Sequence, residues 1–508
     1  MSNKQAGANG NQERGGKVPA VKGAQAAVKN GEPAQAVQII RRALEQPEAI
    51  RKGAWGPLAH LAGDLRDSGA AVQCAMKNQE EDPRDLNRVY QLSHYLIEFG
   101  RDEKALEVLT RLEKQNPGYA KLKLRAAVAL AHLGRFDEAR AKHEEILELE
   151  PNSAESWYQL AVLKGLSKDE GARFDRFMDV YRAAGDSDPK QTALFEFALG
   201  VMNDRAGDTD SSFEHFSKAN RLFASTGNYD PARVRQFADA SRQAHSAEAM
   251  AKGAEQGRHD STRPIFVAGT ARSGTTLLER LLSAHSGVAG GGELGALRVA
   301  GYPIEGRAPD QVAPTEQPTP SGDHSSWRAL GDFHLRLLTE RFGSEGKVVD
   351  KAIFVPFRMG FILALYENAP VIWTRRDPRD VAWSIFQRRL FQQDWSWNME
   401  HIASRIVEVE RFEDHFSAIA PERILNVRYE DLAANPGEWT DRILEHCGLP
   451  HEAVEETFHQ QDGPVATASV ESVREPISTK SIGSWRRYEK HMGEFIEAYR
   501  KFGGREAL

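Results

Sequence analysis

Two textures divide the chain. From Val18 to about residue 250, apolar residues recur three and four positions apart, as in GRDEKALEVLTRLEKQNP (Gly100 to Pro117) and GRFDEARAKHEEILELEP (Gly134 to Pro151), the spacing of amphipathic helices. After the polar stretch AKGAEQGRHDSTR, residues 251–263, the spacing changes. Short β-branched runs, PIFVAG, KVVDKAIF, APVIWTRR and RILNVRYEDL, now alternate with amphipathic segments, which predicts a parallel sheet with crossover helices starting near Arg263. Within this half, Gly301 to Ser326 holds five Pro and little apolar content, and reads as a lid or as a surface insertion.

The helical half is periodic. Pro47, Pro83, Pro117, Pro151 and Pro189 stand 36, 34, 34 and 38 residues apart, each expected to close a helix, and GEPAQAVQIIRRALEQP from Gly31 is a third copy of the pattern. This is the period of tetratricopeptide repeats. A Gly permits the tight turn between paired helices, an Ala soon after it allows close approach, and the Pro ends the second helix. One pair alone leaves an apolar face exposed, so stacked pairs build a curved solenoid, here ending with a weaker copy near Gly207. Such an array either binds a peptide or protein, or serves as a packing or dimerisation scaffold, and the period does not choose between them.

Composition narrows the function classes. The 508 residues are 40% hydrophobic and 27% charged, a soluble globular composition, with no run of 18 apolar residues and no apolar core for a secretory signal. The first 17 residues, rich in Gly, Asn and Gln, are expected to be disordered. Lys plus Arg at 66 against Asp plus Glu at 73 leaves a net charge of -7, which offers no whole-molecule attraction to nucleic acid or membrane. Cys74 and Cys447 are the only cysteines, so neither a disulfide framework nor a multi-cysteine metal site is expected, and the cytoplasm is the expected compartment.

Chemistry concentrates in the second half. PIFVAGTARSGTTLLERLLSAHSG reads as a strand, a loop from Gly269 to Thr276, and a helix with Leu277, Leu278, Leu281 and Leu282 on its apolar face. The G-x-x-x-x-G spacing is that of a loop whose amides and helix N-terminus surround a phosphate. Thr275 stands where nucleoside triphosphatases carry the Lys that reaches the β and γ phosphates, so one terminal phosphate, held without a metal, is expected on Arg272, Ser273, Gly274, Thr275 and Thr276. A glycine-rich turn that binds nothing is the structural alternative. In VIWTRRDPRDVAWSIFQRR, a strand ending at Arg375 or Arg376 leads to Asp377 as N-cap and Pro378 at the first helical position. Ser384 and Arg388, four apart, are predicted to share a helix face near Arg376 and to meet one anion; a surface Arg cluster paired with Asp377 and Asp380 is the alternative.

The ARSGTT loop resembles the 5′-phosphosulfate loop of sulfotransferases, and the motif order over residues 263–490 is similar to the tyrosylprotein sulfotransferases and to bacterial proteins that join tetratricopeptide repeats to such a domain. The resemblance implies 3′-phosphoadenosine-5′-phosphosulfate as donor, with no metal, and Arg376, Ser384 and Arg388 on its 3′-phosphate. It gives Glu293, after three glycines, the role of base, and Lys351 that of the cation on the leaving oxygen, with Arg272 as a second cation. Ile353 departs from the family's D-K-x-P pattern. Counting back from Trp485 assigns Ser469 to the transition state, and Tyr429 and Trp485 to the donor site, while Ser484 stands where the family offers Lys or Arg. Each has a plainer reading: Glu293 complementing a helix dipole, Lys351 pairing with Asp350, Trp485 anchoring the core and Tyr429 packing at a strand end.

The expected architecture is therefore an α-helical tetratricopeptide-repeat solenoid, residues 18–250, followed by an α/β P-loop-like sulfotransferase domain with a central parallel sheet, residues 263–508. The expected reaction moves a sulfuryl group to an acceptor hydroxyl, with a protein tyrosine as one acceptor and a saccharide or lipid hydroxyl as another. Rivals are a magnesium-dependent kinase or triphosphatase, which the missing Lys disfavours, and a catalytically silent repeat scaffold; a peptide or protein acceptor on the array and a homodimer are the partners considered.

Overall fold

The computed structural model describes residues 20–185, 188–225, 227–254, 257–305, 327–390, 393–467, 470 and 472–505. The first 17 residues, most of the Pro-rich stretch and Ser469 lie outside these ranges. The array opens with paired helices: Ala20–Lys29 with Pro33–Glu45, Trp55–Asp64 with Ser68–Glu81, Leu86–Glu98 with Asp102–Gln115, and Ala120–His132 with Phe136–Leu149. Ala154–Val162 with Ala172–Ala184 and Pro189–Arg205 with Thr209–Ala224 continue it, before Pro231–Ala244 and Ala247–Ala254 lead to the sheet.

The first four turns share a left-handed residue, Gly31, Arg66, Gly100 and Gly134, at φ between 59° and 77°. Five positions after each, Ala36, Ala71, Ala105 and Ala139 have no exposed surface, so the small side chain sits where the helices of a pair come closest. One expectation needs correcting. Pro189 does not close a helix; it opens Pro189–Arg205 as its first residue, behind Asp188, whose carboxylate accepts from the amide of Lys190 at 3.0 Å. Asp188 caps the start, and the 38-residue interval therefore joins a helix end to a helix start.

The second half is built on five parallel strands: β1 (Pro264–Gly269), β2 (Val288–Gly290), β3 (Lys347–Asp350), β4 (Val371–Arg375) and β5 (Ile424–Arg428), in the order β2-β3-β1-β4-β5. Every residue of β1 is buried, as expected for a strand covered on both faces. Strand order reverses at β1, whose neighbours are β3 on one side and β4 on the other. A crevice at the carboxyl end of such a switch point is where open α/β sheets bind ligands.

The two halves share their cores. Phe333, Leu337, Leu338 and Val348 belong to the apolar cluster of the first four helix pairs, while Trp383, Ile385 and Tyr488 join Phe195, Phe197 and Phe216 of the later ones. Contact runs along the row of turns: Gly31 meets Tyr302, Arg66 meets Gly295, Gly100 meets Arg341 and Pro464, and Gly134 meets Arg474. Positions 31, 66, 100 and 134 are 35, 34 and 34 apart, so the edge that docks the sheet domain repeats with the array. Among the described residues, no helix is long and apolar enough to cross a membrane.

Candidate active site

The loop after β1 carries unusual backbone. Arg272 takes φ 71° and Gly274 φ 109°, a conformation that costs a non-glycine residue of order 1 kcal/mol or more. A Cβ at Gly274 would lie 2.9 Å from Cδ2 of Tyr429, so the loop lies against that ring. Ser273, 1% exposed, turns its hydroxyl inward to donate to the carbonyl of Thr270 at 2.7 Å, and the Thr374 hydroxyl donates to the Ser273 carbonyl at 3.0 Å. The Ser273 hydroxyl thus shapes the loop, and the outward donors are left to Thr275, Thr276 and the first amides of helix Thr275–Ser283.

Around this loop three guanidinium groups gather. Arg272 Nε donates to Ser384 Oγ at 2.9 Å, and Arg376 reaches the Arg272 carbonyl at 3.5 Å and the Ser481 carbonyl. Arg376 also lies 4.6 Å above the Tyr429 ring, and the Tyr429 hydroxyl shares a 2.6 Å hydrogen bond with Ser481. Burial, then the charges of Arg388 and Arg376, push the Arg272 guanidinium down to about 9. An anion set among these groups would reverse that shift.

Arg388 arrives by another route than the sequence suggested. Helix Pro378–Phe386 ends before it, so Ser384 and Arg388 do not share a helix face. The Phe386 carbonyl accepts from Asn220 of the array at 2.8 Å, and the Arg388 amide closes a tighter turn onto Ile385 at 3.0 Å. The start of that helix is as expected: Asp377 accepts from the Arg379 amide at 2.8 Å.

Asp380, wholly buried, accepts from the amide of Gly483 at 2.7 Å, the hydroxyl of Ser484 at 2.9 Å and the amide of Trp485 at 3.0 Å. Ser484 therefore ties the closing segment to the helix that carries Ser384. Trp485 is 5% exposed, sits in the apolar cluster shared with the array and is covered by Arg379 at 4.2 Å. Sequence reasoning missed Ser481 and the Asp380 anchor; the signal was Gly483, whose φ of 72° lets the chain turn onto the carboxylate.

On the other side of β1, Glu293 follows β2 and Lys351 follows β3. Their side chains meet at 3.2 Å; Lys351 is 4% exposed, and Glu293 opens to solvent. The Lys351 amide donates to the Gly292 carbonyl at 3.1 Å and Gly292 donates to Glu279 at 2.9 Å, which holds the glycine turn in place. Lys351 thus pairs with Glu293 and not with Asp350, whose carboxylate accepts from the Ala352 amide at 3.2 Å and whose carboxyl is pushed up to about 6 by burial. Glu293 and Lys351 border a cavity of about 640 Å³. Ile353 packs into the same cluster as Ala271, joining the turn after β3 to the phosphate loop. Among the described residues no group of three or more His, Cys, Asp or Glu is placed to hold a metal ion.

Residues 264–453 match the model of the sulfotransferase family, and residues 96–163 that of the tetratricopeptide repeat. An uncharacterized protein of Aquifex aeolicus is 27% identical over 448 residues, 85% of this chain and 58% of its own. A protein-tyrosine sulfotransferase of Drosophila melanogaster is 24% identical over 231 residues, 44% of this chain and 46% of its own. The chain thus spans about half the length of these relatives. The solved sulfotransferase domain of the Synechococcus PCC 7002 olefin synthase covers 50% of this chain and 98% of its own at 18% identity, with a TM-score of 0.34. The matches therefore divide as the fold does: the sheet-bearing half is similar to the sulfotransferase family over residues 264–453, and the helical half to the tetratricopeptide repeat over residues 96–163.

Proposed function

We propose that this protein transfers a sulfuryl group from 3′-phosphoadenosine-5′-phosphosulfate to an acceptor hydroxyl. The observation that supports this reading is that the carboxyl end of each of the five strands leads to a residue the reaction would use. β1 leads to the phosphate loop, β4 to Arg376 and β5 to Tyr429, while β2 and β3 lead to the paired Glu293 and Lys351. The donor fits this layout because it needs two anion seats. The loop amides with Thr275 and Thr276 suit the 5′ end, and Arg376, Ser384 and Arg388 beside Arg272 suit the 3′-phosphate.

The donor supplies a sulfuryl group already joined to a phosphate leaving group. Glu293 takes the proton of the acceptor hydroxyl as its oxygen bonds to sulfur. The sulfur–oxygen bond to the 5′-phosphate breaks, and adenosine 3′,5′-bisphosphate departs. Lys351, held against Glu293, and Arg272 put positive charge beside the oxygen that leaves. Ser469 keeps the part that the resemblance gives it. The likeness to protein-tyrosine sulfotransferases favours a phenolic hydroxyl as acceptor.

The test pairs binding with turnover. Calorimetric titration is expected to show tight, metal-free binding of adenosine 3′,5′-bisphosphate and none of ADP with magnesium; preference for the latter sinks the donor assignment. Glu293→Ala is expected to slow labelled-sulfate transfer about 10² to 10⁴-fold with bisphosphate binding intact. Undiminished transfer by that variant would remove Glu293 from the reaction.

A further inference from the structure

The cavity beside Glu293 and Lys351 is not made by the sheet domain alone. One wall is the turn of the third helix pair, from Phe99 to Asp102, and the facing wall is the segment from Gln461 to Thr467. That segment is tied to the next repeat turn: the Val465 amide donates to the His132 carbonyl at 2.9 Å, and Arg474 bridges the carbonyls of His132 and Gly463, each at 2.9 Å. Two successive repeats therefore shape the space into which Glu293 opens.

Arg341, at the end of helix Trp327–Phe342, points into this space. Its guanidinium lies 5.9 Å from the Phe99 ring centre and 4.9 Å from that of Phe342, and it makes no hydrogen bond or ion pair with any described residue. The carboxylates bordering the cavity are engaged: Glu98 with Arg66 at 2.5 Å, Asp102 with His132 at 2.9 Å, Glu279 with the Gly292 amide at 2.9 Å and Glu293 with Lys351 at 3.2 Å. Asp462, the remaining one, acts on Arg474. Burial, with the charges of Arg66 and Arg101 outweighing those of Glu279 and Asp350, pushes Arg341 down to about 10. A planar cation flanked by aromatic rings, with the Glu279 and Asp350 carboxylates near it but neither hydrogen-bonded to it, is suited to a bidentate anion.

We propose that the repeat array forms one wall of the acceptor site, and that the acceptor is a compact hydroxylated acid whose carboxylate rests on Arg341 while its hydroxyl faces Glu293. The identity of the hydroxyl rests on the sulfuryl-transfer reading; the carboxylate seat does not. A volume of about 640 Å³ suits a small molecule.

The probes are two phenols of similar size and opposite charge, 3-(4-hydroxyphenyl)propanoate and tyramine. Each is titrated calorimetrically into the full chain, with and without saturating adenosine 3′,5′-bisphosphate. The parent protein is expected to bind the acid at least about tenfold more tightly than the amine. Arg341→Met is expected to abolish that preference, and Arg341→Lys to retain part of it, with unchanged affinity for the bisphosphate showing that both variants are folded. In labelled-sulfate transfer, Arg341→Met should raise KM for the acid with kcat within a few-fold. Equal affinity of the parent for acid and amine, an undiminished preference in Arg341→Met, or a tyrosine-containing dodecapeptide that binds without being displaced by the acid would each overturn the proposal. Failure of the bisphosphate to bind would instead strike the donor assignment, because the acid titration without nucleotide still reads the Arg341 seat.

Discussion

Asp350 ends β3 with its carboxylate buried, accepting from the Ala352 amide, and Lys351 beside it turns to Glu293. Its carboxyl is pushed up from 3.8 to about 6 by burial. The native state therefore holds this proton longer than the unfolded chain, and the stability it contributes is complete below about pH 4 and lost as pH rises through 6. Asp350→Asn keeps the oxygen that accepts from Ala352 and removes the ionisation. It should raise stability at pH 8 by on the order of 3 kcal/mol and by about half as much at pH 5, as read from thermal unfolding at the two values. An equal effect at both would show that the carboxyl is not the cause. Glu293 and Lys351 were both candidates through the family resemblance; that they pair with one another, leaving Asp350 aside, was not legible, because residues 58 positions apart meet only once β2 lies beside β3.

Helix Pro378–Phe386 shows how much of an element its own residues decide. Asp377 and Pro378 mark its start without help from the rest of the molecule. Its end is set from outside, by Asn220 of the array on the Phe386 carbonyl, and that is why Arg388 reaches the guanidinium cluster from a turn. In its middle, Asp380 anchors three donors of the closing segment and stands 3.6 Å from Arg376. Asp380→Ala should free that segment, cost about 3 kcal/mol of stability and weaken bisphosphate binding more than tenfold, measured by calorimetric titration. Unchanged affinity would mean that the segment from Gly483 to Trp485 does not shape the donor site. Ser484, which stands where the family offers Lys or Arg to the nucleotide, belongs to this anchor.

At the scale of the whole molecule, apolar residues of both halves share clusters: Leu337 and Val348 with the first repeats, Trp383 and Tyr488 with the later ones. Tyr488 adds hydrogen bonds to Asp204 at 2.7 Å and Ser212 at 3.1 Å across the same contact. Scanning calorimetry of the full chain is expected to give a single cooperative transition; two separate transitions would show that the array and the sheet domain are independent units.

Spacing along the chain was enough to specify the repeats, the alternation of strands and helices, the phosphate loop and the start of the helix after β4, since each depends on neighbours within about one turn or one strand. Strand order, the Glu293–Lys351 pair, the end of the helix before Arg388 and the array's part in the Arg341 cavity depend on residues scores of positions apart. Local periodicity carries no record of such distances; only the burial of one face against another, with the hydrogen bonds it forces, selects which of those residues meet.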